Sequence, residues 1–280
     1  MRTVDAHLHL WDPALGVYTW LTPDLGPLHA RFTADDAAAE LSAAGIDAAV
    51  LVQAADHALD TEAMLAVAAE RDWVAGVVGW IDLEAPDRAR DELDRLTDLG
   101  PLVGIRQLVH DDPRAEVYAL PAVRATAAVL ADRDLPLDIP DAFPRDLPAA
   151  TALAGAVDGL TVVLDHLGKP PRDPQDWATW SSQLREFAAM PSTVAKISGL
   201  AVPGHTYDVA SLLPSINHAL ECFGAYRLML GSDWPITVAG VGYPGTHAVL
   251  TEIVERLSPA EQDALRGDTA TRVYHLAEDR

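Results

Sequence analysis

Three short stretches carry residue types whose spacing suits chemistry. The first is Asp5-Ala6-His7-Leu8-His9. In an extended segment, residues i and i+2 project to the same side, so His7 and His9 aim two imidazoles at one point. Neutral imidazole suits zinc and similar divalent ions. Two histidines packing at a strand end would leave the same pattern. The second stretch is Leu164-Asp165-His166-Leu167-Gly168-Lys169-Pro170. An Asp-His pair ending a buried apolar run is costly unless its groups are paired. A plain Gly/Pro surface turn is the alternative. The third is Leu230-Gly231-Ser232-Asp233-Trp234-Pro235, where a carboxylate emerges straight from an apolar run. Such an Asp also commonly caps a turn through its own backbone.

The elements that must position these residues alternate between strand and helix. Strand-type runs are expected at 3–7, 47–53, 74–81, 102–109, 135–139, 160–166, 192–198 and 226–233. Helical patterns lie between them, at 34–45, 58–71, 86–98, 120–133, 144–157, 177–190 and 207–223. Two more helices close the chain, the last opened by a capping box of Ser258 and Glu261. Several strands are continuous apolar runs, as in a parallel sheet covered on both faces. Eight such units in 280 residues predict one (β/α)8 barrel over residues 1–280 with an extra C-terminal helix. A doubly wound open sheet is the alternative, weakened by the lack of a G-x-G-x-x-G turn after the first strand. The irregular stretch 11–32 carries Trp11, Tyr18 and Trp20 and is expected as a lid over one barrel mouth.

Composition narrows the function classes. There are 42 acidic side chains against 20 basic ones, a net charge of −22, and 49% hydrophobic residues. The apolar content excludes disorder. The acidity argues against nucleic acid and against anionic membrane as partners. A lone cysteine, Cys222, excludes an internal disulfide framework. The opening residues show no apolar leader, and no run approaches a bilayer span, so a cytoplasmic enzyme acting on a small molecule is expected. A homodimer is expected only as a default.

Function in such a barrel gathers at the C-terminal ends of strands. Strands one and eight are neighbours there. His7, His9 and Asp233 would then meet around one ion, with His166 across the mouth, and three nitrogens with one oxygen suit zinc. Such an ion lowers the pKa of bound water to about 7, and Asp233 would take the water's proton. Arg106, ending strand four, is a candidate anchor for a carboxylate or a substrate oxygen, or else a structural ion pair. Lys196 in strand seven would hold substrate or polarise its carbonyl, or else pair with Asp165. His110, Trp11 and Trp234 are further candidates for the pocket wall, with core packing the alternative for the two tryptophans. The remaining histidines lie in loop or helix stretches and are read as ordinary.

Seven runs together carry a family resemblance: DAHLHLWDP (5–13) with YTWL (18–21), GIRQLV (104–109), LDHLGKP (164–170), KISGL (196–200), LMLGSDWP (228–235) and ALRGDTATRVYHL (264–276). The chain resembles the amidohydrolase superfamily, and within it the branch that opens lactones of sugar acids and of pyrone or muconate compounds. The resemblance implies a (β/α)8 barrel, hydrolysis at a carbonyl, and Asp233 as the base. Binuclear members use a carboxylated Lys or a Glu on strand four and a His on strand five. Here those strands offer Arg106, Gln107 and Asp138, so one ion is expected, and the resemblance also implies that activity without metal is possible. The family more often has His after GIR and Gln three residues on, where this chain has Gln107 and His110. Metal-dependent decarboxylases of the same superfamily are the rival enzyme class. A barrel that only binds a sugar acid is the non-enzymatic alternative.

Overall fold

The computed structural model describes residues 2–109, 112–114, 116–202 and 204–277. Eight strands form one parallel sheet in chain order: β1 (Val4–Leu8), β2 (Ala48–Val52), β3 (Val74–Gly79), β4 (Leu102–Arg106), β5 (Leu137–Ile139), β6 (Val162–Leu164), β7 (Thr193–Ile197) and β8 (Leu228–Leu230). The sheet closes where the chain beyond β8 returns to β1. Asp233 N donates to His7 O at 2.8 Å, His9 N donates to Trp234 O at 2.7 Å, and Leu8 bridges Trp234. The barrel expectation holds, and the open sheet does not.

The helices are α1 (Ala34–Ala44), α2 (Ala58–Glu70), α3 (Pro86–Leu99), α4 (Pro121–Asp132), α5 (Leu147–Ala156), α6 (Pro174–Ala188), α7 (Val209–Phe223), α8 (Gly242–Val254), α9 (Pro259–Asp263) and α10 (Thr269–Val273). Local chemistry sets their ends. Thr33 and Asp36 form a capping box on α1, Asp208 and Ser211 form one on α7, and Ser258 and Glu261 form the expected one on α9. A π-turn over Ala264–Asp268 joins α9 to α10, so the final helix is two short ones rather than one.

Two apolar layers result. Outward strand residues such as Leu137, Ile139, Leu164, Ala195 and Ile197 pack against the helices. Inward ones such as Val50, Val78, Val163, Val194 and Met229 fill the barrel together with Val273, Tyr274 and Leu276 from the chain's end. The last segment therefore plugs the barrel floor.

The strands are shorter at their C-terminal ends than the apolar runs suggest. β3, β4 and β8 end at Gly79, Arg106 and Leu230, and β6 ends at Leu164. Past Leu164, Asp165–Gly168 forms a tight turn in which His166 (φ 57) and Leu167 (φ 53) are left-handed. Hydrophobicity persists there because the mouth residues are still buried, although they no longer pair in the ladder. The stretch 11–32 packs over the barrel mouth and supplies part of its wall. Trp11, Tyr18, Leu21 and Leu28 are buried against Ala54 and Ala55. Tyr18 donates to Asp60 Oδ1 at 2.7 Å, and Trp20 Nε1 donates to Ala54 O at 2.7 Å.

Candidate active site

His7 is the penultimate residue of β1 and His9 follows the strand, with Leu8 between them turned outward into the helix layer. The β1–β2 pairing shifts register between Asp5 and Leu8, a device that re-aims side chains beside functional sites. The two imidazoles converge, with His7 Nε2 3.1 Å from His9 Nε2. Asp233 Oδ1 lies 3.2 Å from His9 Nε2 and 3.7 Å from His7 Nε2. His166 Nε2 is 3.9 Å from the same oxygen. All four side chains are buried.

Backbone contacts fix this cluster. Asp5 Oδ1 accepts from Ser232 N at 2.9 Å and from His7 N at 3.1 Å, tying together the two segments that carry the cluster. Asp233 itself is left-handed (φ 59), a strained conformation that a non-glycine residue keeps only where its surroundings enforce it. Gly199 (φ +55) passes so close that an added Cβ would meet His166 Nδ1, and Asp233 Oδ2 at 2.7 Å. Only glycine fits there.

Hydrogen-bond partners assign the protons. Val52 O lies 2.7 Å from His9 Nδ1, and a carbonyl only accepts, so Nδ1 carries the proton and Nε2 a lone pair. Arg106 NH1 lies 3.0 Å from His7 Nε2, and a guanidinium only donates, so this nitrogen also presents a lone pair. His166 Nδ1 lies 2.9 Å from Ser198 Oγ, which accommodates either tautomer. Burial, partly offset by Asp165, holds His7 well below the ordinary imidazole range. Burial likewise pushes His166 down to about 4. Burial alone would raise the Asp233 carboxyl, but the neighbouring His166, Lys169 and His7 carry it far below its usual value. Two lone pairs 3.1 Å apart beside an ionised carboxylate repel unless a cation lies among them. His7, His9 and Asp233 thus form a donor set that fits one divalent ion. A second grouping, His7, Asp165 and His166, is also close enough to hold one, but its carboxylate is already taken by cations.

Asp165 is fully buried and bordered by those cations. Its Oδ1 lies 3.1 Å from Lys196 Nζ and 3.2 Å from His7 Nδ1, and its Oδ2 lies 3.2 Å from Arg106 NH1. These are ion-pair distances rather than aligned hydrogen bonds. Burial raises the Asp165 carboxyl, but Lys196, His7 and Arg106 overcome it and hold it well below the ordinary range.

A cavity of about 210 Å³ opens above the cluster. Trp11 and Trp20 meet edge to face along it, with ring centroids 5.2 Å apart. Arg106, Asp141 and Lys169 supply its other polar groups. Lys169 Nζ donates to Gly199 O at 2.9 Å and lies 3.7 Å from Asp141 Oδ1.

The structure thus brings together His7, His9, His166 and Asp233, with Arg106 and Trp11 in the cavity wall. Lys196 does not reach the cavity. It is fully buried beneath His7, paired with Asp138 at 2.6 Å and with Asp165, so the ion-pair reading of this residue holds over the substrate-binding one. Trp234 is core, buried edge to face against Phe32 with centroids 5.3 Å apart. His110 lies outside the described residues. Sequence reasoning missed Lys169 and Asp141 as cavity groups. Both stand just past strands, in LDHLGKP and IPDAFP, the place where such residues are to be sought.

The family model for the amidohydrolases matches residues 4–276. The chain belongs to the amidohydrolase family. An L-fucono-1,5-lactonase of Burkholderia multivorans is 34% identical over 290 residues, covering 98% of this chain and 96% of that protein. A crystal structure of a family member from Burkholderia multivorans with bound HEPES superposes with a TM-score of 0.91 at 30% identity, covering 99% of this chain and 100% of that one. A second crystal structure from that organism, with bound zinc, gives 0.89 at 31% identity and the same coverage. Among the described residues, no helix is long and apolar enough to cross a membrane.

Proposed function

We propose that this protein hydrolyses a lactone of a sugar acid, with Asp233 as the base and one zinc ion held by His7, His9, Asp233 and His166. The observation that carries the reading is the convergence of two imidazole lone pairs and a carboxylate at 3.1–3.7 Å, directly under the cavity. The lactonase relative and the zinc-bound family member support it. The cavity suits a small ring with an apolar face against Trp11 and Trp20 and a hydroxyl-bearing edge toward Asp141 and Lys169.

Asp233 is ionised and accepts a proton from water as the water oxygen bonds to the lactone carbonyl carbon. Arg106 and Lys169, which line the cavity, donate to the oxygen on which negative charge develops, a contribution typically worth several kcal/mol. The ring C–O bond then breaks, and Asp233 returns its proton to the leaving alkoxide. The product is the open hydroxy acid, which releases a proton on ionising at neutral pH. When bound, a divalent ion supplies Lewis-acid polarisation and lowers the pKa of water to about 7.

The test is to incubate the purified protein with L-fucono-1,5-lactone and related sugar-acid lactones beside a pH indicator. Proton release with formation of the open acid is expected. Release of carbon dioxide from aromatic or unsaturated acids, with every lactone untouched, would replace this reading by decarboxylation. Tight lactone binding without turnover would replace it by a binding role.

A further inference from the structure

A second cavity, of about 280 Å³, lies on the flank of the barrel and shares no residue with the cavity at the mouth. Its walls come from the start of β1, the end of α1, the segment after β8, helix α8 and the π-turn over Ala264–Asp268. Ile46, Leu230 and Leu250 supply apolar lining. Tyr243 and His247 add two rings that run nearly parallel, with centroids 6.4 Å apart and an interplanar angle of 18°. Sites for drug-sized molecules run from about 300 to 1,000 Å³, so this space suits a smaller occupant.

The charge in this cavity is unusual for so acidic a chain. Of the described arginines and lysines, only Arg124, Arg185 and Arg266 have no side-chain hydrogen bond or ion pair to the described residues. Arg124 and Arg185 are exposed and held by water, whereas Arg266 is half-buried and lines the cavity. A cation withdrawn from water without a counter-charge is costly. The one acid in the wall does not supply it. Asp5 Oδ1 is taken by the Ser232 and His7 amides, and Asp5 Oδ2 accepts from the Tyr243 hydroxyl at 3.0 Å. His247 is half-buried too, and burial, with a further push from Arg266, holds it below the ordinary imidazole range. As a neutral ring it still donates one N–H. Local backbone keeps Arg266 in this wall. The neighbouring Gly267 packs so tightly on the Arg2 carbonyl that no Cβ would fit, and π-turns of this kind recur at functional sites.

We infer that the flank cavity is a binding site for a small carboxylic acid with an apolar body, the carboxylate held by Arg266 and His247 and the body lying against Ile46, Leu230 and Leu250. The planar guanidinium fork matches a carboxylate. A polyhydroxylated acid does not fit, because its hydroxyls would lie unpaired on the aliphatic side chains, so this is not a second site for a sugar acid. Inorganic phosphate does not fit either, since it meets one permanent cation and leaves the apolar lining uncovered. The inference is independent of the lactonase reading and of any metal.

The test is calorimetric titration of the full-length protein with benzoate. One-to-one binding at about millimolar concentration is expected for a ligand of this size. Benzamide, which keeps the ring and loses the charge, should bind at least about 10-fold more weakly, and Arg266→Gln should weaken benzoate by about 10–100-fold. Lys169→Gln removes a cation of the mouth cavity and should leave benzoate affinity within about twofold, because the two cavities are separate. If Arg266→Gln does not fold, Ala44→Phe decides: it obstructs the cavity from α1 with the arginine in place and is expected to abolish binding. No saturable binding by the wild-type protein overturns the inference. So does wild-type affinity in folded Arg266→Gln or Ala44→Phe, and so does loss of binding in Lys169→Gln, which would put benzoate at the mouth. Inorganic phosphate or gluconate binding as tightly as benzoate overturns the apolar half of it.

Discussion

At the scale of single residues, the histidine–aspartate cluster depends on contacts with no slack. Gly199 shows this most directly. A side chain at that position meets both His166 and Asp233 and must also adopt a left-handed backbone. Gly199→Ala is expected to cost about 1–3 kcal/mol of stability. Displacing these two side chains should also lower kcat/KM about 100-fold. Denaturant unfolding and steady-state kinetics check the two effects, and an unperturbed enzyme would show that the approach is looser than it looks. His7, His9 and Asp233 are legible in the sequence because i, i+2 spacing and a carboxylate ending an apolar run constrain direction whatever the surroundings. The place of Lys196 is not legible, because a residue within a strand faces either the mouth or the interior depending on its height along the barrel. Asp138 is opaque for the same reason. It accepts from the hydroxyl of Tyr274, which is 136 residues away in sequence.

At the scale of elements, the strands position and the segments after them act. The stretch 11–32 reads in sequence as an irregular loop, since nothing local reveals that Tyr18 finds a buried carboxylate on α2. Asp60 Oδ2 also accepts from Ala54 N at 2.8 Å, so one side chain joins the mouth wall to the β2–α2 turn. Tyr18→Phe leaves that carboxylate one donor short. A loss of roughly 1.5–3 kcal/mol is expected from a hydrogen bond to a charged group. Chemical denaturation measures it. Faster proteolysis within 11–32 and a raised KM, with kcat little changed, are expected to accompany it, because Trp11 and Trp20 hang on the same segment. Equal stability of the variant would mean that this wall is held by its apolar contacts alone. Strand ends were the least legible feature. Apolar residues continue past the last ladder bond wherever the barrel mouth keeps them buried, as at Val109 and Leu167.

At the scale of the molecule, eight repeats of strand and helix make the barrel readable from periodicity alone, and the closure between β8 and β1 brings residues 7 and 233 together. The surface carries another consequence. With 42 acids and 20 bases, at least 22 acidic groups have no basic partner of their own. Self-repulsion of that excess opposes the compact state. Raising salt from about 0.01 M to about 1 M shortens the screening length from about 30 Å to about 3 Å. Exposed ion pairs lose little by this, since each is worth about 0–1 kcal/mol. Tm should therefore rise with salt in a thermal melt, and a flat or falling Tm would mean that the surface pairs outweigh the repulsion.

The convergence of His7, His9, His166 and Asp233 matters only if Asp233 moves the proton. The most direct measurement is kcat for a sugar-acid lactone by the wild-type protein and by Asp233→Asn, each with its zinc content determined. A fall of about 100- to 10,000-fold in the folded variant is expected for loss of a general base. Turnover at the wild-type rate by a folded Asp233→Asn protein contradicts the account.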